Sequence, residues 1–228
     1  ITTNASLQET LETLIKHIES STLSICSILL LDAEGKHFIE HYAISLPTHY
    51  TEALYNAEIS AKAGSCGTAA YNKKRVIVSD IATDPLWSDY KDLAASANLA
   101  ACWSEPIFNS SGHVLGTFAM YRDIPYAPTE QDISTIVMSA QLAALAIEQQ
   151  QTQNQLNENK ERYRLLFIHS NDALMTSEAD NLHSFTSVNK ASLNLFGAKT
   201  EAEFLQLSPL LVSPEYQPDG QLSKEKAL

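Results

Sequence analysis

Apolar residues at Leu7, Leu11, Leu14, Ile15 and Ile18 are separated by steps of four, three, one and three, which predicts an amphipathic helix over residues 5–20. Asn4 stands where its N-cap would fall. Over residues 23–31 the chain becomes nearly continuously apolar and β-rich, as a buried strand does, and Asp32-Ala33-Glu34-Gly35 supplies a turn into an antiparallel partner at 37–45. Pro47 opens a short helix reaching Tyr55, and a turn at 64–67 opens another. A strand follows at 75–79, then an irregular stretch from Asp84-Pro85 that holds Trp87, then a helix at 90–96. Strands at 100–108 and 113–121 flank the hairpin turn Asn109-Ser110-Ser111-Gly112. Strands and helices alternating in this way predict an α+β fold, an antiparallel sheet flanked by helices.

From Thr129, an N-cap with Asp132 in the capping-box position, helical periodicity continues to about Ser170. Two stripes run along it. Ile133, Ile136, Ala140, Ala143 and Ile147 form one, suited to covering the sheet. Met138, Leu142, Leu145, Gln149, Thr152, Leu156, Asn159, Tyr163 and Leu166 form the other, in alternating steps of four and three. That second row is a heptad seam, weakened by its three polar members, and predicts a marginal coiled-coil homodimer. Leu142, Leu145, Leu156, Tyr163 and Leu166 are its apolar contacts. The glutamine-rich stretch at 149–154 marks a boundary. Beyond Ser170, two short strands at 173–177 and 185–188, helices at 189–197 and 200–207, and a polar, proline-bearing loop at 213–220 make a tail too short for a complete domain. The expected organisation is a first domain at 1–150, a long helix at 129–170 overlapping its end, and an incomplete domain at 171–228.

The 228 residues carry 15 Lys and Arg against 27 Asp and Glu, a net charge of −12, which argues against nucleic acid as a partner. No apolar run approaches the roughly 20 residues of a membrane span, and no signal-peptide pattern is present. Three cysteines without Cys-x-x-Cys spacing suit a reducing compartment and speak against a structural zinc site. A cytoplasmic piece of something longer is the expectation.

Four separated blocks narrow the family. They are Gly64-Ser65-Cys66-Gly67-Thr68-Ala69-Ala70, the stretch from Arg75-Val76-Ile77-Val78-Ser79-Asp80 to Asp84-Pro85-Leu86-Trp87, Ala101-Cys102-Trp103-Ser104-Glu105-Pro106-Ile107, and Gly112-His113-Val114-Leu115-Gly116-Thr117-Phe118-Ala119-Met120-Tyr121. In that order, over about residues 5–150, they resemble a GAF domain of a bacterial multidomain sensor protein. The resemblance implies a central antiparallel sheet with helices on both sides and a pocket on one face. It also implies binding of a cyclic nucleotide, a tetrapyrrole or another small molecule, or dimerisation, with the change passed down a helix to an output domain. Glu161-Arg162-Tyr163-Arg164-Leu165-Leu166-Phe167, with Val188-Asn189-Lys190-Ala191 and Phe196-Gly197, resembles the opening of a PAS domain. In related chains the output is a histidine kinase, a diguanylate cyclase or a cyclic-di-GMP phosphodiesterase. No phospho-acceptor histidine motif or nucleotide-binding glycine loop occurs in this sequence, so output catalysis is expected elsewhere.

The candidate ligand-binding residues are Gly64, Ser65, Cys66, Gly67, Trp87, Trp103, Glu105 and Phe118. Two glycines around a short polar pair before a helix would bring free backbone amides together, although they serve tight strand-to-helix packing equally well. The aromatics could wall a pocket, with Phe118 there to the exclusion of Met120. Glu105, set among Trp103, Pro106 and Ile107, must be either partnered or pocket-facing. No covalent bilin is expected, because no Cys-His dipeptide exists, and no metal or catalytic residue is assigned. Two rival readings stand beside the sensor. Free methionine-R-sulfoxide reductases share the fold and a Gly-x-Cys-Gly turn, but their His-Ile-Ala-Cys-Asp type segment is here Asn98-Leu99-Ala100-Ala101-Cys102-Trp103, without the His and Asp. The other is a dimerisation domain with no ligand.

Overall fold

A computed structural model describes residues 6–178 and 181–223. They fall into two compact units that divide between residues 152 and 153. In the first, helix α1 (Leu7–Ser21) begins on a capping box. The Glu9 amide donates to the Ser6 hydroxyl at 3.2 Å, and the Ser6 amide donates to the Glu9 carboxylate at 2.8 Å. The cap is thus Ser6; Asn4 lies outside the described residues. At the other end the Thr22 hydroxyl donates to the Ile18 carbonyl and accepts from the Ser24 amide. This turn sends Leu23 outward, 86% exposed, so the buried strand opens at Ile25 and not at residue 23.

The chain continues through β1 (Ile25–Leu31), β2 (Phe38–Tyr42), α2 (Thr48–Leu54), α3 (Gly64–Asn72), β3 (Val76–Val78), a 3-10 turn (Pro85–Trp87), α4 (Lys91–Ser96), β4 (Ala101–Phe108), β5 (Val114–Arg122) and α5 (Glu130–His169). The five strands form one sheet in the order β2-β1-β5-β4-β3, antiparallel throughout. Gly116 lies opposite Leu30, where a Cβ would come within 2.0 Å of the Leu29 carbonyl oxygen. Only glycine allows β1 and β5 to pair there.

Strand alternation sorts the core into two layers. On one face Cys26, Ile28, Leu30, Trp103, Ile107, Phe118 and Met120 pack against Leu11, Ile15 and Ile18 of α1 and Ile136, Ala140, Ala143 and Ile147 of α5. On the other, Leu29, Phe38, Val78, Cys102, Ala119 and Tyr121 meet Tyr50 of α2, Cys66 and Ala70 of α3, Trp87 of the 3-10 turn and Ala94 of α4. The α5 capping box forms as its sequence predicts: the Thr129 amide donates to Asp132 at 2.8 Å, and the Asp132 amide donates to the Thr129 hydroxyl. The sheet-facing stripe is buried apart from Ile133, which is half-buried, whereas Leu142, Leu145, Leu156, Tyr163 and Leu166 are exposed by 46–73%.

In the second unit β6 (Met175–Glu178) pairs antiparallel with β7 (Asn181–Val188), and α6 (Lys190–Phe196), α7 (Glu201–Phe204) and α8 (Pro209–Val212) follow. Asn189 caps α6 by accepting from the Ser192 amide at 2.9 Å, and Gly197, at φ +72°, ends it. Phe204 is fully buried between Phe185 and Phe196, at ring-centroid distances of 5.1 and 5.3 Å. The helix at 209–212 has no counterpart in the sequence reading, and β7 starts four residues earlier than residue 185.

Candidate functional site

Residues 64–67 are not a turn ahead of a helix; they are the first turn of α3, whose N-cap, Ala63, offers no side-chain hydrogen bond. The Gly67 amide is already bonded to the Ala63 carbonyl at 3.1 Å. The amides of Gly64, Ser65 and Cys66 have no carbonyl four residues back within the helix. Both glycines have a structural reason, backbone conformation at Gly64 and packing at Gly67. Gly64 adopts φ +59° and lies against the Trp87 indole, which a Cβ would meet at 3.7 Å. At Gly67 a Cβ would collide with that of Ala63 at 2.5 Å.

A cavity of about 30 Å³ opens between this turn and the sheet. Since about 10–15 Å³ of such space holds one water, it has room for two or three water-sized groups, far less than a nucleotide or a tetrapyrrole needs. Its floor is buried: Leu29 and Phe38 from the sheet, Tyr50 from α2, Cys66 from α3, and Trp87. Its rim, half-buried or exposed, comes from Leu54, Ala57, Glu58, Ala63, Tyr90 and Leu93. Asp84 fixes the Trp87 segment by accepting the Leu86 amide at 2.8 Å, with Pro85 pre-set for the turn.

Behind the floor lies a buried polar cluster. The Trp87 indole N–H donates to the Ser65 hydroxyl at 3.0 Å, and that hydroxyl donates to the Cys102 carbonyl at 3.3 Å. Cys66 Sγ is 3.6 Å from the Tyr121 hydroxyl, which is 3.0 Å from the Ser27 hydroxyl. Hydrogen bonding from the Cys102 thiol, supported by Tyr121, Ser104 and Thr117, outweighs burial and lowers the Cys66 thiol to about 7. Burial pushes the thiol of Cys102 and the phenols of Tyr121 and Tyr50 the other way, upward. Cys66 is therefore the one group of the cluster inclined to ionise near neutrality. It is 8% exposed, at the cavity floor; Cys102 is fully buried behind it.

The structure brings together five of the eight candidate residues, Gly64, Ser65, Cys66, Gly67 and Trp87, around this cavity. Trp103 and Phe118 lie in the opposite layer, packed on α1 and α5. Phe118 and Met120 share that layer, as residues two apart on a strand must, so the expected separation of the two was wrong. Glu105 is not in the cavity wall and pairs with Arg75. The cause is parity: Cys102 faces α3, so Trp103 and Glu105 are carried to the other side of β4. Tyr50, Leu54, Glu58, Tyr90 and Leu93 were missed. The spacing of Tyr50 to Leu54 and of Tyr90 to Leu93 marks helix faces, but nothing local aims those faces at one another. Asp80 and Asp84 serve as local caps, accepting from Ala82 and Leu86 amides. Among the described residues no group of three or more metal-ligating side chains converges.

A five-stranded antiparallel sheet between helical layers, with a small cavity under a glycine-bearing helix start, defines an α+β domain. The GAF domain family model matches residues 4–148, and this chain belongs to that family. The methyl sulfide methyltransferase-associated sensor of Methanosarcina acetivorans is 34% identical over 217 residues, covering 95% of this chain and 22% of that protein. The chain thus spans about a fifth of that relative's length. Among solved structures, a domain of a two-component sensor histidine kinase protein from Sinorhizobium meliloti matches with TM-score 0.55 at 17% identity, over 68% of this chain and 99% of that one. Free methionine-R-sulfoxide reductase from Neisseria meningitidis matches with TM-score 0.51 at 14% identity, over 66% and 83%. At these identities the two structures share the fold with this chain and nothing further.

Proposed function

We propose that this GAF sensor domain binds a small molecule in the cavity over Cys66 and Trp87. Ligand-dependent repacking of the sheet is passed along α5, in a homodimer, to an output domain of a longer protein. The carrying observation is the cavity itself, built from five residues singled out by the sequence and backed by a buried polar cluster. A kinase or a cyclic-di-GMP enzyme suits the output role, and residues 171–228 serve as an incomplete PAS segment between input and output. The relative of which this chain covers only 22% is named as a sensor, which favours an input module within a longer chain. Three free cysteines suit the cytoplasm. The net charge of −12 disfavours nucleic acid as a partner, and no described helix is long and apolar enough to cross a membrane.

Native mass spectrometry of the purified chain tests the reading. A co-purifying mass lost on Trp87→Ala or on widening the Cys66 side chain supports it. A ligand-free dimer that no small-molecule panel stabilises against heat leaves a dimerisation domain instead. The contact of Cys66 with Cys102 is the one observation favouring the reductase alternative. Burial of Cys102 and the missing His and Asp around it weigh against a nucleophile that a substrate can reach.

A further inference from the structure

Helix α5 leaves the sheet at a definite place. Its last buried residue is Ile147, and from Glu148 to His169 no residue of the helix is buried. At that place a side chain ties the helix to the sheet. One oxygen of the Glu148 carboxylate accepts from the Ser110 amide at 2.8 Å and from the Ser110 hydroxyl at 2.7 Å.

Ser110 belongs to the turn between β4 and β5, and Asn109 folds that turn on itself. The Asn109 carbonyl accepts the Gly112 amide at 2.9 Å, and its side-chain oxygen accepts the Ser111 and His113 amides at 3.0 and 2.8 Å. Gly112 takes φ +79° to close it. The amides that follow Ser110 are thus satisfied within the turn, while that of Ser110 goes to α5. The other end of the same hairpin meets the cavity. The carbonyl of Cys102, at the start of β4, accepts the Ser65 hydroxyl, which accepts the Trp87 indole N–H in turn. Ser65 and Trp87 both line the cavity. Between these ends β4 and β5 are paired from Ala101 with Arg122 to Phe108 with Val114. A hydrogen-bonded strand pair carries a displacement along its length, so a shift at Cys102 is felt at Ser110.

We propose that Glu148 is a positioning residue, the contact through which the β4–β5 hairpin sets where α5 leaves the sheet. Bonded to Ser110 it fixes the helix turn at the exit, and a change at the Ser65–Trp87 side of the cavity reaches α5 through it. This rests on the proposed input role of that cavity and adds the contact by which the input arrives. Leu145, three residues before Glu148 and so on the adjacent helix position, belongs to the exposed row. The turn that Glu148 fixes is therefore one that the proposed homodimer uses.

Hydrogen exchange of the α5 amides at 146–152 in the intact chain tests this. Ser110→Pro removes both donors at a turn position where proline is favoured, and Glu148→Ala removes the acceptor. Each should speed exchange there about fivefold, the scale of a hydrogen bond to a charged group in partial contact with water. The double variant should add nothing to either single one. Glu148→Gln, which keeps an acceptor oxygen, should retain most of the protection. Ser65→Ala cuts the link from Trp87 to Cys102 and should speed exchange at 146–152 in the parent chain but not in Ser110→Pro. Trp87→Phe, which deletes only the indole donor of that link, should act in the same direction and keeps the test open if Ser65→Ala fails to fold. Additive effects of Ser110→Pro and Glu148→Ala overturn the coupling role. So does an α5 response to the cavity-side variants that is absent, or that survives Ser110→Pro. If these results come while native mass spectrometry still finds a cavity ligand, the input site stands and only its route to α5 falls. If the cycle holds but no ligand is found by mass or by heat stabilisation, the coupling stands and the input reading falls.

Discussion

Cys66 shows how much a single side chain depends on its neighbours. Its thiol is lowered from 9.0 to about 7 by the hydrogen bond from Cys102, against the desolvation that acts on both. A group whose folded value lies below its unfolded one stabilises the fold fully above the unfolded value, and loses that contribution as pH falls through the folded one. Resistance to urea should therefore rise between pH 7 and 9, the window set by those two values. Cys66→Ala should flatten that rise. The raised groups, Cys26, Cys102 and Tyr121, oppose the rise only as pH reaches their ordinary values, at and above the top of this window. A slope unchanged in the variant would show that the thiolate is not formed. The same burial predicts no thiol-dependent turnover of free methionine-R-sulfoxide, since Cys102 has no surface; activity lost on Cys102→Ser would defeat this. Gly116→Ala is a purely steric test. With the Leu29 carbonyl oxygen 2.0 Å from the added carbon, β1 and β5 must separate, at a cost of about 2–3 kcal/mol. Chemical denaturation should read it directly.

At the scale of elements, α5 carries two rows that do different work. Ile136, Ala140, Ala143 and Ile147 are used up against the sheet, and small alanines let the helix approach it closely. Met138, Leu142, Leu145, Leu156, Tyr163 and Leu166 remain exposed, a long apolar strip that a second copy of the helix would bury. Because Leu142, Leu145 and Leu156 are about half exposed within the chain, replacing all three with Asp should leave the monomer folded. On the proposed homodimer, sedimentation should show a dimer for the parent chain and a monomer for this variant. Leucine truncation at such an interface costs on the order of 2 kcal/mol and is felt twice in a symmetric pair. An unchanged dimer would move the interface off this row. The exposed row was legible as a row because residues at alternating steps of four and three share one face of a helix. The caps were legible too: Thr129 with Asp132 was read correctly, and the Ser6-Leu7-Gln8-Glu9 capping box was present in the sequence and passed over for Asn4.

The whole molecule divides at residues 152 and 153 into units of unequal substance. The first has two core layers around five strands; the second has two strands and a small aromatic cluster on Phe204. Amide exchange should be faster through Met175–Glu178 and Asn181–Val188 than in Ile25–Leu31, whose strand is paired on both sides. Equal protection would show that the second unit gains stability from a source outside its own short sheet, such as a second copy. The sequence by itself determined the order of elements as far as α7, the antiparallel sheet, the α5 stripes and the family. All of these follow from residue spacing, capping chemistry and contiguous motifs, which act over a few residues. Only the tertiary structure decided which face of β4 looks at the cavity. That choice takes Trp103 and Glu105 out of the site, since a strand's parity has meaning only once its neighbours are placed. Only the tertiary structure, too, could join Phe38, Tyr50, Glu58, Trp87 and Tyr90 into one wall. They lie up to 52 residues apart, and no local rule couples helix faces and loops across that distance until the sheet has brought them together.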